Sequence, residues 1–306
     1  MAGFLNLLKV ISIIVSSQNI QLFKAFEENV KLTIGVDYEI IKIENSDAKY
    51  SIAKAYNIGI SKANYKYVCF CHEDILFRTN LWGIKLVEHL NDKTTSLIGI
   101  LGNTIKTKIP AGVYSKFEAT NRINQIQRNN DGSETHHYFN PNKELHSKVI
   151  TLDGMFLSAR MKNLTRFSFD ERIIDGFHGY DIDFSLSMNK IGNVIVVYNI
   201  LIEHLSLGGN TKNWIESQIK IINKWHHSLP INYQINAKSG ALLKESADLE
   251  ELVRSLLRLK DYYFLAIKFF IQRLCIIFFS RSNLSLLKQL ILTLPKHIKY
   301  AFTKRL

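Results

Sequence analysis

The sequence predicts an α/β fold: a mostly parallel central sheet flanked by helices, with a C-terminal helical extension. Three observations predict it. Short β-branched runs alternate with stretches of helical spacing over residues 10–72, the β-α-β-α-β order of a parallel sheet with helical crossovers. Each of those runs stops on polar residues, as strands around a ligand crevice do. Beyond residue 249 the pattern is almost wholly helical and strongly basic.

Residues 10–15 (Val-Ile-Ser-Ile-Ile-Val) read as the first strand and Ser16, Ser17, Gln18 and Asn19 as the loop at its end. Residues 20–30 have helical spacing. Residues 38–43 form the second strand, which ends on Glu44, Asn45 and Ser46. Residues 51–62 read as a helix with Ile52, Ala55 and Ile58 on one face, and the third strand runs from Tyr67 to an abrupt stop at His72-Glu73-Asp74. A helix over 82–90 and a strand over 96–101 follow. Residues 103–147 are polar, with an Asn129-Asn130-Asp131-Gly132 turn and His136-His137, and read as a long irregular flap, with a hairpin in its interior left open. Apolar character returns at 149–159 around Asp153-Gly154. Residues 184–190 read as a helix with Asp181 and Asp183 at its N-terminal end, where the helix dipole favours carboxylates. Gly192 stops it, 193–198 form a strand, Glu203-His204-Leu205-Ser206 follow, and 214–225 form another helix.

This divides the chain into a body at 1–228, a linker at 229–248 and a basic amphipathic helical tail at 249–306. Residues 262–279 are apolar, yet Lys268, Gln272 and Arg273 interrupt them, so a surface helix with a basic face fits better than a membrane span. Packing of the tail on the body or on a second copy is the competing expectation. The N-terminus has no basic region before its apolar stretch and no clear cleavage site, which argues against a secretory signal.

Composition narrows the function. Apolar residues make up 46% of the chain, which excludes global disorder. From Glu250 onward there are eleven Lys or Arg against three acids, a net of +8, which leaves only +4 of the total +12 for the body. The body therefore carries no basic footprint for nucleic acid, and no aromatic-and-basic nucleic-acid motif occurs. Cys69 and Cys71, two apart on a strand among apolar neighbours, read as buried free thiols of a reducing compartment.

The chemistry concentrates where the third strand ends. Two adjacent carboxylates at a sheet rim cost free energy unless a cation or a donor-rich ligand meets them. A metal-bound, phosphate-bearing substrate meets that demand; a solvated strand-end turn is the plain alternative. His136, His137 and His146 lie in a polar stretch without cysteine partners and read as solvated rather than as a zinc site.

The 10–15 strand, the 53–59 segment with Asn57, the His72-Glu73-Asp74 strand end, Asp153-Gly154-Met155-Phe156, the 177–183 run and Glu203-His204-Leu205-Ser206 together resemble a family 2 glycosyltransferase with a GT-A fold. The resemblance covers about residues 10–225. It is to a bacterial glycosyltransferase-like branch in which His-x-Asp replaces the commoner Asp-x-Asp. It implies a cation, Mn2+ or Mg2+, held by Asp74 and His204, with Glu73 facing the ribose or a metal-bound water. His72, in place of an aspartate, has no assigned role. Asp181 would be the general base and Asp183 a helix cap. Ser16, Ser17, Glu44, Asn45 and Asn57 would contact the nucleotide, and Asp153 and Gly154 the sugar or acceptor, Gly154 by letting a substrate approach the backbone.

The resulting expectation is a metal-dependent inverting transferase that takes a sugar from a nucleotide donor, a UDP-sugar foremost. Its acceptor would be a saccharide or lipid-linked glycan in bacterial surface glycan synthesis, at the inner face of the plasma membrane. Its partners would be the donor, the acceptor and an anionic membrane surface met by the tail, with a homo-oligomer left open. A sugar nucleotidyltransferase would carry a Gly-rich basic loop after the first strand, where this chain has Ser16-Ser17-Gln18-Asn19. A non-catalytic, membrane-associated glycan-binding or scaffold protein would show no metal-dependent nucleotide affinity.

Overall fold

The structure, a computed structural model, describes residues 10–206, 211–233, 238–259 and 261–303. The expectation about a secretory signal concerns residues outside this set.

Strand β1 (Ile11–Ser17) is a β-branched run in which only Ser16 is not fully buried. Helix α1 (Ile20–Thr33) begins where the Asn19 side chain accepts from the N–H groups of Gln21 and Leu22, satisfying two donors that a helix start leaves over. Strand β2 (Tyr38–Glu44) pairs parallel with β1. Helix α2 (Ile52–Lys62), capped by Ser51, packs close on β1 because residue 59 is glycine: a Cβ there would lie 2.2 Å from Ile14 Cγ2. Strand β3 (Tyr67–Cys71), wholly buried, pairs parallel with the other side of β1. The β-α-β-α-β unit is therefore as expected.

Next come β4 (Ile75–Phe77), α3 (Trp82–Asn91), β5 (Thr95–Gly99), β6 (Leu101–Asn103), β7 (Ile105–Lys106), β8 (Asn121–Arg128), β9 (Glu134–Phe139), β10 (His146–Val149), β11 (Thr151–Leu152) and β12 (Phe156–Arg160). A short helix α4 (Met161–Leu164) leads to α5 (Tyr180–Met188), β13 (Asn193–Val197), β14 (Ile202–His204), α6 (Lys212–Trp225) and β15 (Ile231–Asn232). The main sheet runs β10-β13-β5-β12-β3-β1-β2. Its β2-β1-β3 half is parallel, whereas β12 lies antiparallel to both β3 and β5.

The stretch expected as an irregular flap instead supplies β8 and its hairpin partner β9 to a second sheet, β11-β6-β8-β14-β4, the hairpin being the alternative left open for its interior. Its polarity does not mean exposure. Asn103, Asn121 and Asn124 are buried, and their amides bond each other and nearby carbonyls: Asn103 Nδ2 donates to Asn121 Oδ1 at 3.0 Å and Asn124 Nδ2 to Tyr198 O at 2.8 Å. Buried polar groups satisfied in this way are compatible with a core.

The tail forms α7 (Lys238–Arg258), α8 (Tyr263–Ile276) and α9 (Arg281–Thr303). The boundary expected at 248/249 falls inside α7, and residues 238–248 of the expected linker are helical. Helix α7 is joined to the body by an apolar cluster in which Leu249, Leu252, Val253 and Leu256 meet Ile109 and Ile215. A buried ion pair reinforces the joint: Lys244 Nζ lies 2.7 Å from Asp248 Oδ1, and Thr107 Oγ1 donates to Asp248 Oδ2 at 2.9 Å. Among the described residues no helix is long and apolar enough to cross a membrane. Cys69 and Cys71 are buried free thiols, and Cys275 is an exposed one.

Candidate active site

The C-terminal end of β3 opens into a cleft of about 830 Å3, within the size range of small-molecule sites. Two strand pairings and a helix assemble its floor. Beyond β3, the N–H of His72 donates to Met155 O at 3.0 Å, which sets the Asp153-Gly154 turn beside His72. Strand β14 runs antiparallel to β4 with His204 opposite Ile75, and the N–H of Leu205 donates to Asp74 O at 2.9 Å. Asp74 and His204, 130 positions apart in the chain, thus become neighbours. Helix α5 adds Asp181 in its first turn, with Gly179 at a φ of 86° as its left-handed N-cap, a conformation glycine adopts without strain.

His72, Asp74 and His204 each present one ligand atom, and these atoms lie within 4.8 Å of one another, the one such metal-capable group among the described residues. His72 Nδ1 is 3.8 Å from Asp74 Oδ1, and His204 Nε2 is 3.4 Å from Asp74 Oδ2. Burial opposes ionisation of Asp74, but the hydrogen bond from His204 and the neighbouring imidazoles hold its carboxyl well below the usual range. Burial also disfavours the His204 imidazolium, yet bonding to and charge on Asp74 outweigh it and raise His204. At His72 burial wins and lowers it. The donor set suits a divalent cation that accepts both imidazole and carboxylate.

Second-sheet neighbours brace this group. Glu203, fully buried, receives Arg78 Nε at 2.7 Å and Arg128 Nε at 2.5 Å, and Glu134 Oε1 receives the Nη2 groups of both arginines at 2.6 and 2.9 Å. Gln127 Nε2 donates to His204 O at 3.1 Å.

Asp181 lines the same cleft. Burial first, and the Asp153 carboxylate second, push its carboxyl from the ordinary 3.8 up to about 7. Asp183 is spent elsewhere: it accepts from Trp225 Nε1 at 2.7 Å and Lys224 Nζ at 2.9 Å, anchoring α5 to α6.

The expected nucleotide and sugar contacts divide. Ser16, Glu73, Asp153 and Gly154 line the cleft. Glu73 Oε1 accepts from the N–H groups of Gln18 and Asn19 at 2.9 and 2.8 Å, while its Oε2 is buried without a partner among the described residues. Ser17, Glu44, Asn45 and Asn57 do not line the cleft. Strand β1 extends two residues beyond the predicted end, so alternation faces Ser16 to the cleft and Ser17 to the core. Glu44 pairs with Lys42 at 2.7 Å in solvent. Asn45 closes its own loop, donating to Ser16 Oγ at 3.2 Å and accepting from Tyr50 N at 2.8 Å. Asn57 Nδ2 bonds Phe169 O and Glu171 Oε1 at 2.9 and 2.8 Å. At Gly154 the missing side chain also makes room for the protein's own Tyr180, whose hydroxyl would lie 2.1 Å from a Cβ.

Residues not singled out in the sequence complete the opposite wall. Tyr114 comes from the loop before β8, Trp214 and Gln218 from α6, and Asp248, Glu251 and Arg258 from α7. Their local sequence carries no motif; folding of the body brings Tyr114, Trp214 and Gln218 to the cleft, and packing of α7 on the body adds the other three.

The sequence profile of the Glycosyltransferase like family matches residues 12–227. No curated protein matches the chain. Among solved structures, a crystal structure of GalNAc-T7 with UDP, GalNAc and Mn2+ is similar at 9% identity and a TM-score of 0.50, over 71% of this chain and 48% of that one. The chain thus spans about half the length of that relative, and the likeness is one of fold, the GT-A arrangement. A197 from STIV is similar at 11% identity and a TM-score of 0.38, over 65% of this chain and 87% of that one.

Proposed function

The chain belongs to the Glycosyltransferase like family, and from that premise we propose that it transfers a sugar, with inversion, from a nucleotide donor to a hydroxyl of a saccharide or lipid-linked acceptor. One observation carries the reading: the cleft unites the His72-Asp74-His204 group with Asp181, a carboxyl poised at about 7.

His72, Asp74 and His204 hold a divalent cation, Mn2+ in preference to Mg2+ because two of the three donors are imidazoles. When bound, it supplies Lewis-acid neutralisation of the departing diphosphate. The UDP and Mn2+ in the GalNAc-T7 crystal support the choice of a UDP-sugar. Glu73, with its Oε2 unpartnered, accepts from a ribose hydroxyl. Asp181 takes the proton of the acceptor hydroxyl, since an alcohol is a weak nucleophile and a base near neutral pKa is best matched to the task. The wall formed by Tyr114, Trp214 and α7 receives the acceptor.

The tail places the enzyme at an anionic membrane. Residues 262–306 contain eight Lys or Arg and no acid, and Phe264, Phe278, Phe279, Leu284, Ile291 and Leu292 are exposed. Such a surface suits a lipid-linked acceptor in bacterial surface glycan synthesis.

The test is a titration of UDP with Mn2+ and with chelator, followed by a screen of nucleotide sugars for Mn2+-dependent donor hydrolysis. Tighter UDP binding with Mn2+ and turnover of one donor are expected. UDP affinity unchanged by chelator would overturn the reading.

A further inference from the structure

The first residue of α5 connects the cation group to the base. Tyr180 is buried, and its hydroxyl oxygen lies 2.7 Å from His72 Nε2 and 2.9 Å from Gly154 O, to which it donates. A phenol has one proton. The Gly154 carbonyl can only accept, whereas the Tyr56 hydroxyl, the other side chain bonded to Tyr180, has a proton of its own to give, so the Tyr180 proton lies between Tyr180 and Gly154; turned elsewhere, it would leave two oxygen lone pairs facing each other in a buried place. His72 Nε2 must then carry a proton and donate to Tyr180. A neutral imidazole has a single N–H, so His72 Nδ1 bears the lone pair. Nδ1 is the atom that faces Asp74, and at 3.8 Å it is beyond hydrogen-bond reach of that carboxylate.

We infer that Tyr180 is a positioning residue that holds His72 in its Nε2–H form, so that Nδ1 serves as a third protein ligand to a divalent cation beside Asp74 and His204. This rests on the reading of the cleft as a cation-dependent transfer site. A ligating histidine is commonly fixed in this way by a partner on its other nitrogen. Gly154 belongs to the device, since a Cβ there would meet the Tyr180 hydroxyl at 2.1 Å and Cζ at 2.4 Å and push the ring away. Because Tyr180 directly precedes Asp181, the residue that positions His72 and the base are mounted on one helical turn.

Two measurements on the full chain test this. Long-range 1H–15N NMR of the metal-free wild type is expected to show His72 as the Nε2–H tautomer; an Nδ1–H ring overturns the inference. Mn2+ alone is then titrated by electron paramagnetic resonance into wild type, Tyr180→Phe and Gly154→Ala, without nucleotide. Both substitutions are expected to weaken Mn2+ about 10- to 100-fold, with circular dichroism retained and the melting temperature lowered by only a few degrees in Tyr180→Phe, about the cost of the lost buried hydrogen bonds. Wild-type binding that Tyr180→Phe leaves unchanged overturns this inference alone. No Mn2+ binding by wild type overturns the cation reading of the cleft and this inference with it.

Discussion

Replacing Asp181 with asparagine separates the catalytic and the energetic consequences of its environment. The carboxyl is raised from the ordinary 3.8 to about 7, by burial first and by Asp153 second. The folded protein therefore keeps this proton up to about pH 7, whereas the unfolded chain loses it from about pH 4. Between those values the native state binds more protons, so this group's contribution to stability falls as pH rises and is fully lost above about 7. A shift of about 3 units corresponds to a ceiling of about 4 kcal/mol; water on the open side of the cleft reduces that to about 3 kcal/mol. Asparagine has the same shape and does not titrate. Asp181→Asn is thus expected to be more stable than wild type by about 3 kcal/mol at pH 8 but by only about 1 kcal/mol at pH 5, measured by urea unfolding in chelator. Its turnover should drop by about 10²–10⁴, the usual contribution of a general base. Wild-type kcat/KM should fall about tenfold per pH unit below about 7. A stability difference that is flat with pH, or sugar transfer by Asp181→Asn at the wild-type rate, would refute the reasoning.

Asp74→Asn removes the central carboxylate of the cation group and should abolish Mn2+-dependent UDP binding, read by calorimetry; retained tight binding would show that the imidazoles suffice. Glu203→Gln leaves Arg78 and Arg128 without their buried carboxylate and should cost about 2–3 kcal/mol in urea unfolding; a loss under about 0.5 kcal/mol would mean that Glu134 alone satisfies them. Paired Phe278→Ser and Phe279→Ser changes, at side chains 66% and 89% exposed, should release the protein from anionic vesicles without lowering its melting temperature. Undiminished flotation with vesicles would rule out the membrane face. Truncation at residue 250 is a poorer test, because it cuts α7 and uncovers Ile109 and Ile215.

Local pattern made much of the fold legible. Strands β1, β2 and β3 announced themselves through β-branched and apolar runs, and α1, α2 and α6 through spacing, to which the structure adds the caps Asn19, Ser51 and Thr211. The second sheet was hidden because β8 is polar by composition yet mostly buried, with Asn124 satisfied by the distant Tyr198 carbonyl. Asn45 and Asn57 show the converse limit: each sits in a plausible place for a nucleotide contact, but its hydrogen bonds are taken up by Tyr50 and by residues 169–171.

What the sequence determined by itself was which chemistry is on offer: carboxylates and imidazoles at strand ends, an aspartate at a helix start and a basic helical tail. Such features depend on residue type and short-range periodicity, which the chain carries explicitly. What only the tertiary structure decided was which of these groups meet. Antiparallel pairing of β14 with β4 brings His204 to Asp74, the turn at Gly154 gives Tyr180 its seat beside His72, and packing of α7 on α6 turns the tail into a wall of the cleft. Those contacts join residues far apart in sequence, and their geometry follows from strand register and side-chain packing that no local stretch encodes.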